Sequence, residues 1–336
     1  MQLSVIAKRK VNTLVVVHRR QLLDQWVASL GTFLNLDKKE IGQIGGGRIK
    51  STKLVDVAMI QSLGKKGKIN DLVGEYGQII FDECHHISAS SFELVARQAK
   101  AKYVLGLSAT VTRKDGHQPI VFMQCGPVRY RIDDRKQAAA RPFTHKVIIR
   151  QTQFNTPPVE ENYSSTVIQD LYSALTSDEE RNSMIIEDVV SAVHSGRSPV
   201  LLTERREHLA LLSDKLKPRI QNVIVMSGGM GKKQRQLIKE QLEKITSDEE
   251  RLILATGRYL GEGFDDARLD TLFLALPISW RGTLAQYAGR LHRLYELKTD
   301  VLIYDYVDGQ VSVLKGMFEK RRKGYKALGY EITSVG

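Results

Sequence analysis

The chain has 336 residues, a 42% apolar fraction and a formal net charge of +12. That length accommodates two ordinary domains with a sizeable core, and no apolar run reaches the ~18 residues of a bilayer span. Two cysteines, Cys84 and Cys125, fit no zinc spacing and suit a reducing, cytoplasmic compartment. The opening MQLSVIAKRK places its charges after its apolar stretch, the reverse of a signal peptide. A pI near 9.5 favours a polyanionic partner, although a merely basic, soluble surface would give the same figure.

Along the chain, short apolar runs alternate with helical patterns. Strands are expected at Leu14–Val17, Val57–Ile60, Ile79–Phe81, Val104–Leu107, Val200–Leu202, Val223–Met226, Leu252–Leu254, Thr271–Leu274 and Val301–Tyr304. Most of these runs are apolar throughout, as strands covered on both faces should be. Helical periodicity marks Gln21–Leu30, Ser91–Gln98, Asp178–Ser195, Glu204–Leu216, Lys232–Ile245 and Leu284–Leu294. Such alternation implies an α/β fold with mostly parallel sheets. An alanine run, charges and the Pro157–Pro158 pair suggest a linker over 136–159, with an extra strand at Thr144–Arg150. Domains are therefore expected at 1–135 and 160–336.

In parallel sheets ligands meet the carboxyl ends of strands, so the residues after each strand carry the argument. Gln78–Phe81 runs into Asp82-Glu83. Two adjacent carboxylates cannot be sunk in a core, but at a strand end they can face a cleft. There Asp82 can hold Mg²⁺ and Glu83 can orient an attacking water. A solvated acidic turn is the bland alternative. His85 and His86 allow a metal site, though polar contacts are the more usual fate of adjacent histidines. Ser108 and Thr110 follow the next strand and either bond the acidic cluster or close a turn. Further on, Arg290 and Arg293 are three residues apart, expected on one helix face where two guanidinium forks suit a phosphate. The glycines of Gly261–Asp265 permit close backbone approach to a ligand.

Order and spacing carry a resemblance that no single stretch does. FDECHH at 81–86, SAT at 108–110, ATGRYLGEGFD at 255–265 and QYAGRLHR at 286–293 resemble motifs II, III, V and VI of the superfamily-two, DExH-type helicases. VVVHRRQLLDQW at 15–26, AMIQSL at 58–63 and VLLTERREHL at 200–209 look like motifs Ia, Ib and IV, and SATVTRKDG at 108–116 is similar to a bacterial and phage branch. The resemblance implies two tandem RecA-like domains of the P-loop NTPase kind. ATP and Mg²⁺ would bind in the cleft between them, and nucleic acid, DNA more than RNA, would cross both.

Carried over residue by residue, Asp82 and Glu83 would hold Mg²⁺ and activate water, and Ser108 and Thr110 would couple hydrolysis to movement. Gly263 and Asp265 would meet the nucleotide sugar, Gln286 the γ-phosphate, and Arg290 and Arg293 would be arginine fingers. Arg19, Gln61, Thr203, Arg205, Gly228 and Thr256 would contact nucleic acid. His292 stands where many relatives have a small residue.

A motor of this kind also needs G-x-x-x-x-G-K-[ST] to cradle phosphates. Gly64–Ile69, Gly228–Lys233 and Gly45–Arg48 each fail that pattern. Met1–Lys10 reads as the remainder of the helix that follows such a loop, so the first domain is expected to be incomplete at its N-terminus and the isolated chain defective in ATP hydrolysis. A non-catalytic nucleic-acid-binding module and the motor of a larger restriction or phage-defence machine are the competing readings.

Overall fold

The computed structural model describes all residues except 1, 38, 66–67, 85–88, 109–117, 132, 157–164, 258–265, 279–280 and 336. Two units are present, Met1–Arg131 and Ile132–Gly336.

The first unit runs α1 (Gln2–Arg9), β1 (Thr13–Val17), α2 (Arg20–Leu34), β2 (Ile41–Gly45), β3 (Arg48–Lys50), β4 (Val55–Met59), β5 (Gly64–Lys65), β6 (Lys68–Ile69), β7 (Gln78–Phe81), α3 (Ala89–Gln98), β8 (Tyr103–Gly106) and α4 (Gln118–Cys125). Its main sheet has the order β3-β2-β4-β1-β7-β8. Only β3 is antiparallel to its neighbour. Every residue of β1 and β7 is buried, which is why their sequences are apolar without alternation. On one face Leu23, Trp26 and Leu30 of α2 pack with Ile6 of α1. Their i, i+3, i+7 spacing forms a single stripe, and each such burial is worth roughly 1.5–3 kcal/mol. The other face is covered by Val95 of α3 and Val121 of α4. Fully buried Asp56 ties down the entry to β4. Its carboxylate accepts from Ser51 Oγ (2.5 Å), Thr52 Oγ1 (2.6 Å) and Tyr76 Oη (2.5 Å). Burial works against its charge, but these donors hold the carboxyl below its ordinary range.

The second unit runs α5 (Asp134–Ala139), β9 (Thr144–Gln151), α6 (Ser165–Ser177), α7 (Glu179–His194), β10 (Pro199–Thr203), α8 (Arg206–Leu216), β11 (Val223–Met226), α9 (Lys232–Lys244), β12 (Leu252–Thr256), β13 (Thr271–Leu274), α10 (Arg281–Leu291), β14 (Asp300–Val307), α11 (Ser312–Leu328) and β15 (Glu331–Val335). Seven strands in the order β11-β12-β10-β13-β14-β9-β15 pair in parallel throughout. One core joins the sheet to α10 and α11 through Leu284, Ala288, Tyr325 and Leu328. The opposite core joins it to α7 and α8 through Ile185, Val189, Leu209 and Leu212. At the start of α7, Asp178 accepts from Arg181 N (2.7 Å), satisfying one orphan amide of the first turn.

The stretch expected as a linker is different in kind. Thr144–Gln151 is β9, a full partner of β14 over eight residues, with Val147 and Ile149 buried. Its alternating pattern binds it to the second sheet, so 136–151 belongs with the second unit, which starts at 132.

Candidate functional site

The carboxyl ends of the first unit's parallel strands gather most of its expected functional residues. Backbone pairing continues beyond the strands themselves. Asp82 N donates to Val16 O (3.0 Å), Leu107 N to Phe81 O (2.8 Å) and Cys84 N to Leu107 O (3.0 Å). Asp82–Cys84 is thereby pinned between the end of β1 and the residues after β8, and Ser108 follows directly. Glu83 holds a left-handed φ of 46°. For a non-glycine residue that costs on the order of 1–3 kcal/mol, a cost typical of functional sites.

Asp82 has an environment that sequence reasoning missed. Trp26 Nε1 donates to its Oδ2 at 2.7 Å, and Glu83 N to its Oδ1 at 3.0 Å. Burial raises its carboxyl above the ordinary range, and these two donors offset only part of that rise. Each carboxylate oxygen accepts about two hydrogen bonds, so both retain room for a water-shelled cation. Magnesium is commonly held by one or two carboxylates with phosphate supplying the rest, and Asp82 fits that use. No cluster of three or more His, Cys, Asp or Glu residues able to hold a metal occurs among the described residues. The only signal for Trp26 was its place within 15–26, at the buried side of α2.

The expected nucleic-acid residues of this unit lie at the ends of β1 and β4. Gln61 is exposed and donates to His18 O (3.0 Å), joining the residues after β4 to those after β1. Arg19 directly precedes α2 in extended backbone.

In the second unit, Thr203, Gly228 and Thr256 follow or end β10, β11 and β12. Gly228 N donates to Thr256 Oγ1 (3.2 Å), and Arg206 Nη2 donates to Gly228 O (2.5 Å). Two of the expected contacts are committed elsewhere. Thr203 is 1% exposed and its hydroxyl meets His208 Nδ1 at 3.0 Å. Arg205 is held by Gln169, through its carbonyl (3.1 Å) and Oε1 (2.6 Å). A β-strand end faces helices as well as solvent, and α8 and α6 reach these side chains first.

Gln286 and Arg290 lie on α10, but the helix ends at Leu291, so Arg293 does not share its face. The cause is Lys298, whose buried ammonium donates to the carbonyls of Leu291 (2.8 Å), Arg293 (2.8 Å) and Ala267 (2.9 Å). Those bonds satisfy the helix end and turn the chain. Burial pulls the Lys298 ammonium down to about 8. His292 sits against His145 (4.9 Å between rings) and bonds Tyr330 Oη (2.8 Å), an aromatic core position. Tyr287 Oη donates to Glu204 Oε1 (3.2 Å). A side chain at Gly257 would start only 2.1 Å from both atoms and would have to displace that pair. Residues 200–209, 255–257 and 286–291 thus meet at one point. Thr110, Gly263 and Asp265, with His85 and His86, lie outside the described residues.

Residues 2–113 match the family described as type III restriction enzyme, res subunit. The chain is 26% identical over 336 residues to a protein of Acanthamoeba polyphaga mimivirus provisionally named an ATP-dependent RNA helicase, covering 98% of this chain and 61% of that one. It is 28% identical over 219 residues to the DNA 3'-5' helicase XPB of Kineococcus radiotolerans, covering 63% of this chain and 39% of that one.

The chain is similar to superfamily-two helicases. It spans about three fifths of the first of these relatives and less of the second. Among solved structures, the fold matches S. cerevisiae Dbp5 bound to RNA and ADP BeF3 (TM-score 0.65, 12% identity, 99% of this chain and 80% of that one). It also matches the Pyrococcus furiosus Hef helicase domain (TM-score 0.60, 14% identity, 95% of this chain and 92% of that one). Both units of this chain are therefore RecA-like in fold.

Two buried ion pairs also escaped sequence reasoning. Arg321 is bidentate on Asp305 (2.8 and 2.8 Å) and donates to Ile278 O (3.0 Å). Arg181 bonds Asp308 (2.9 Å) and Ala275 O (2.7 Å). Tyr172 Oη donates to Pro277 O (3.2 Å). Three helices thus grip the carbonyls of the buried segment that leads toward α10.

Proposed function

We propose that this chain is the two-unit motor of an ATP-dependent helicase or translocase acting on nucleic acid, DNA more than RNA, in the bacterial or phage branch of its superfamily. The observation that carries the reading is the Asp82–Glu83 turn. An acid pair, with Glu83 in left-handed backbone, stands at the end of a fully buried strand, with Asp82 oriented by Trp26 and Ser108 alongside. Asp82 is the residue for Mg²⁺, which when bound would neutralise phosphate charge. Glu83 orients and deprotonates the attacking water. Gln286, Arg290 and Arg293 act on the same nucleotide, the arginines stabilising charge as its terminal phosphate departs. Gly263 and Asp265 meet its sugar, and Ser108 and Thr110 transmit the change.

The partner's path draws on Arg19 and Gln61 in the first unit and on Gly228, Thr256 and the backbone at Thr203–Arg205 in the second. Charge supports it unevenly. Residues 1–131 hold 20 Lys and Arg against 10 Asp and Glu, whereas 132–336 hold 30 against 28. The first unit therefore provides most of the attraction to phosphates. No helix among the described residues is long and apolar enough to cross a membrane, and we assign the motor to the cytoplasm.

The test is anisotropy of a fluorescent single strand titrated with the chain at several salt concentrations. Affinity should fall log-linearly with salt, and Gln61→Ala should weaken binding. Salt-independent binding, or none, overturns the reading. Two other readings have support. The family match favours a motor within a larger restriction machine. The lack of G-x-x-x-x-G-K-[ST] in these 336 residues favours a binding module without hydrolysis.

A further inference from the structure

A groove of about 650 Å³ lies in the first unit, between the turn joining β2 to β3 and the segment after β4. Its lining is Gly45–Ile49 on one side and Gln61–Gly64 with Ile69 and Asn70 on the other. The groove is built from bonded parts. Gly45 packs so closely on Met59 and Ser62 that a side chain there would start 2.9–3.0 Å from them. Arg20, at the start of α2, bonds Gly46 O, and Gln61 bonds His18 O. Gly45, Gly46 and Gly47 all have positive φ (128°, 61° and 86°). The turn therefore leaves its backbone bare of side chains over the groove.

Ile49 stands on the rim. It is 89% exposed, although its cross-strand partner Ile44 is 3% exposed. β3 is the edge strand, all three of its residues are exposed, and Ile49 is flanked by Arg48 and Lys50. None of the lining residues is acidic, and their polar groups, on Gln61, Ser62, Asn70 and Arg48, include donors at each position. Gly64 and Ile69 of the paired strands β5 and β6 line its other side. An apolar tip between cations, above a donor-lined groove in a unit with twice as many bases as acids, complements a polyanion that also carries apolar faces.

We propose that Ile49 is a base-contacting residue: a single nucleic-acid strand lies in this groove, its phosphates toward Gln61, Ser62 and the Gly45–Gly47 turn and its bases against the Ile49 side chain. The inference rests on the nucleic-acid reading above and adds to it a contact with base faces, beyond phosphate attraction. Apolar side chains placed against base steps unstack them, and base faces are stacked on without regard to sequence.

The test compares a single-stranded oligonucleotide with an abasic strand of equal length, by anisotropy, on the full chain and on Ile49→Ala and Ile49→Trp. Position 49 is on the surface, so both variants should melt like the parent. Ile49→Ala should weaken base-bearing DNA roughly three- to tenfold and leave the abasic strand unchanged. Ile49→Trp should restore or strengthen binding, and its added fluorescence should be quenched only by the base-bearing strand. Equal effects on both strands, or none on either, would overturn the base contact while leaving the nucleic-acid reading intact. Failure of the parent chain to bind either strand would overturn both.

Discussion

Replacing Arg321 by Met should cost the second unit about 4 kcal/mol, the middle of the range for removing one partner of a buried ion pair. Arg321 is 2% exposed and Asp305 1%. The guanidinium makes two bonds to the carboxylate and one to Ile278 O. Burial opposes its charge, but Asp305 outweighs that and holds the guanidinium protonated above its usual range. In the variant, Asp305 keeps only Tyr325 Oη (2.7 Å). Ile278 O loses its donor, and an unmet buried carbonyl costs about 1–3 kcal/mol. Urea unfolding monitored by amide exchange gives both the global loss and its location. Exchange should quicken first in Arg281–Leu291, because the gripped segment Ala275–Ile278 leads toward that helix. The double variant Arg321→Met/Asp305→Leu should recover most of the loss, since it leaves no uncompensated charge. A loss below about 1 kcal/mol, or a double variant as unstable as the single one, would refute the accounting. Unaltered exchange in α10 alongside a global loss would refute the grip.

Other outcomes follow from the same structure. The 336-residue polypeptide alone should release phosphate from ATP no faster than background, with or without DNA; DNA-stimulated release abolished by Glu83→Gln would contradict this. His145, His208 and His292 are pushed down by burial to about 4, about 3 and about 2, from 6.5, with nearby cations adding to the shift. All three stay neutral when folded, so their contribution is complete above pH 6.5 and is lost as pH falls from there toward those values. The slope is about 1.4 kcal/mol per pH unit for each histidine. His292→Gln should flatten it by one proton, and an unchanged slope in urea titrations would falsify the assignment. Cys84 and Cys125 both abut Gly106, 3.2 and 2.9 Å from where its side chain would begin, and burial lifts the Cys125 thiol from 9.0 to about 12. At pH 8 Cys125 should carry roughly a thousandfold less thiolate than in the unfolded chain. Rapid titration of two native thiols by an aromatic disulfide would disprove it.

The strands and helices that bury whole apolar runs were readable, and so was the order of motifs along them. Both follow from periodicity, which is a local property. What escaped reading depended on partners far apart in sequence. α11 buries Leu314, Arg321, Tyr325 and Leu328, and the arginine in that stripe disguises it as a charged surface. β9 was legible as a strand but was assigned to a linker, because its partners, β14 and β15, lie some 150 residues and more away. At the site, the acid pair was legible from one strand and its flanks. The Trp26 bond to Asp82 was not, because no spacing rule joins residues 56 apart. The clipping of α10 by Lys298, which separates Arg293 from Arg290, likewise needed the fold.

β9 lies between β14 and β15, and that position sets a timetable for synthesis. Residues 144–151 leave the ribosome well before both of their neighbours, which emerge after residue 299. Until then an eight-residue strand waits with two open flanks, the exposure that invites wrong pairing during translation. The second unit can therefore complete its sheet only after residue 335 has been made, and its first strand is among the last of its strands to be secured.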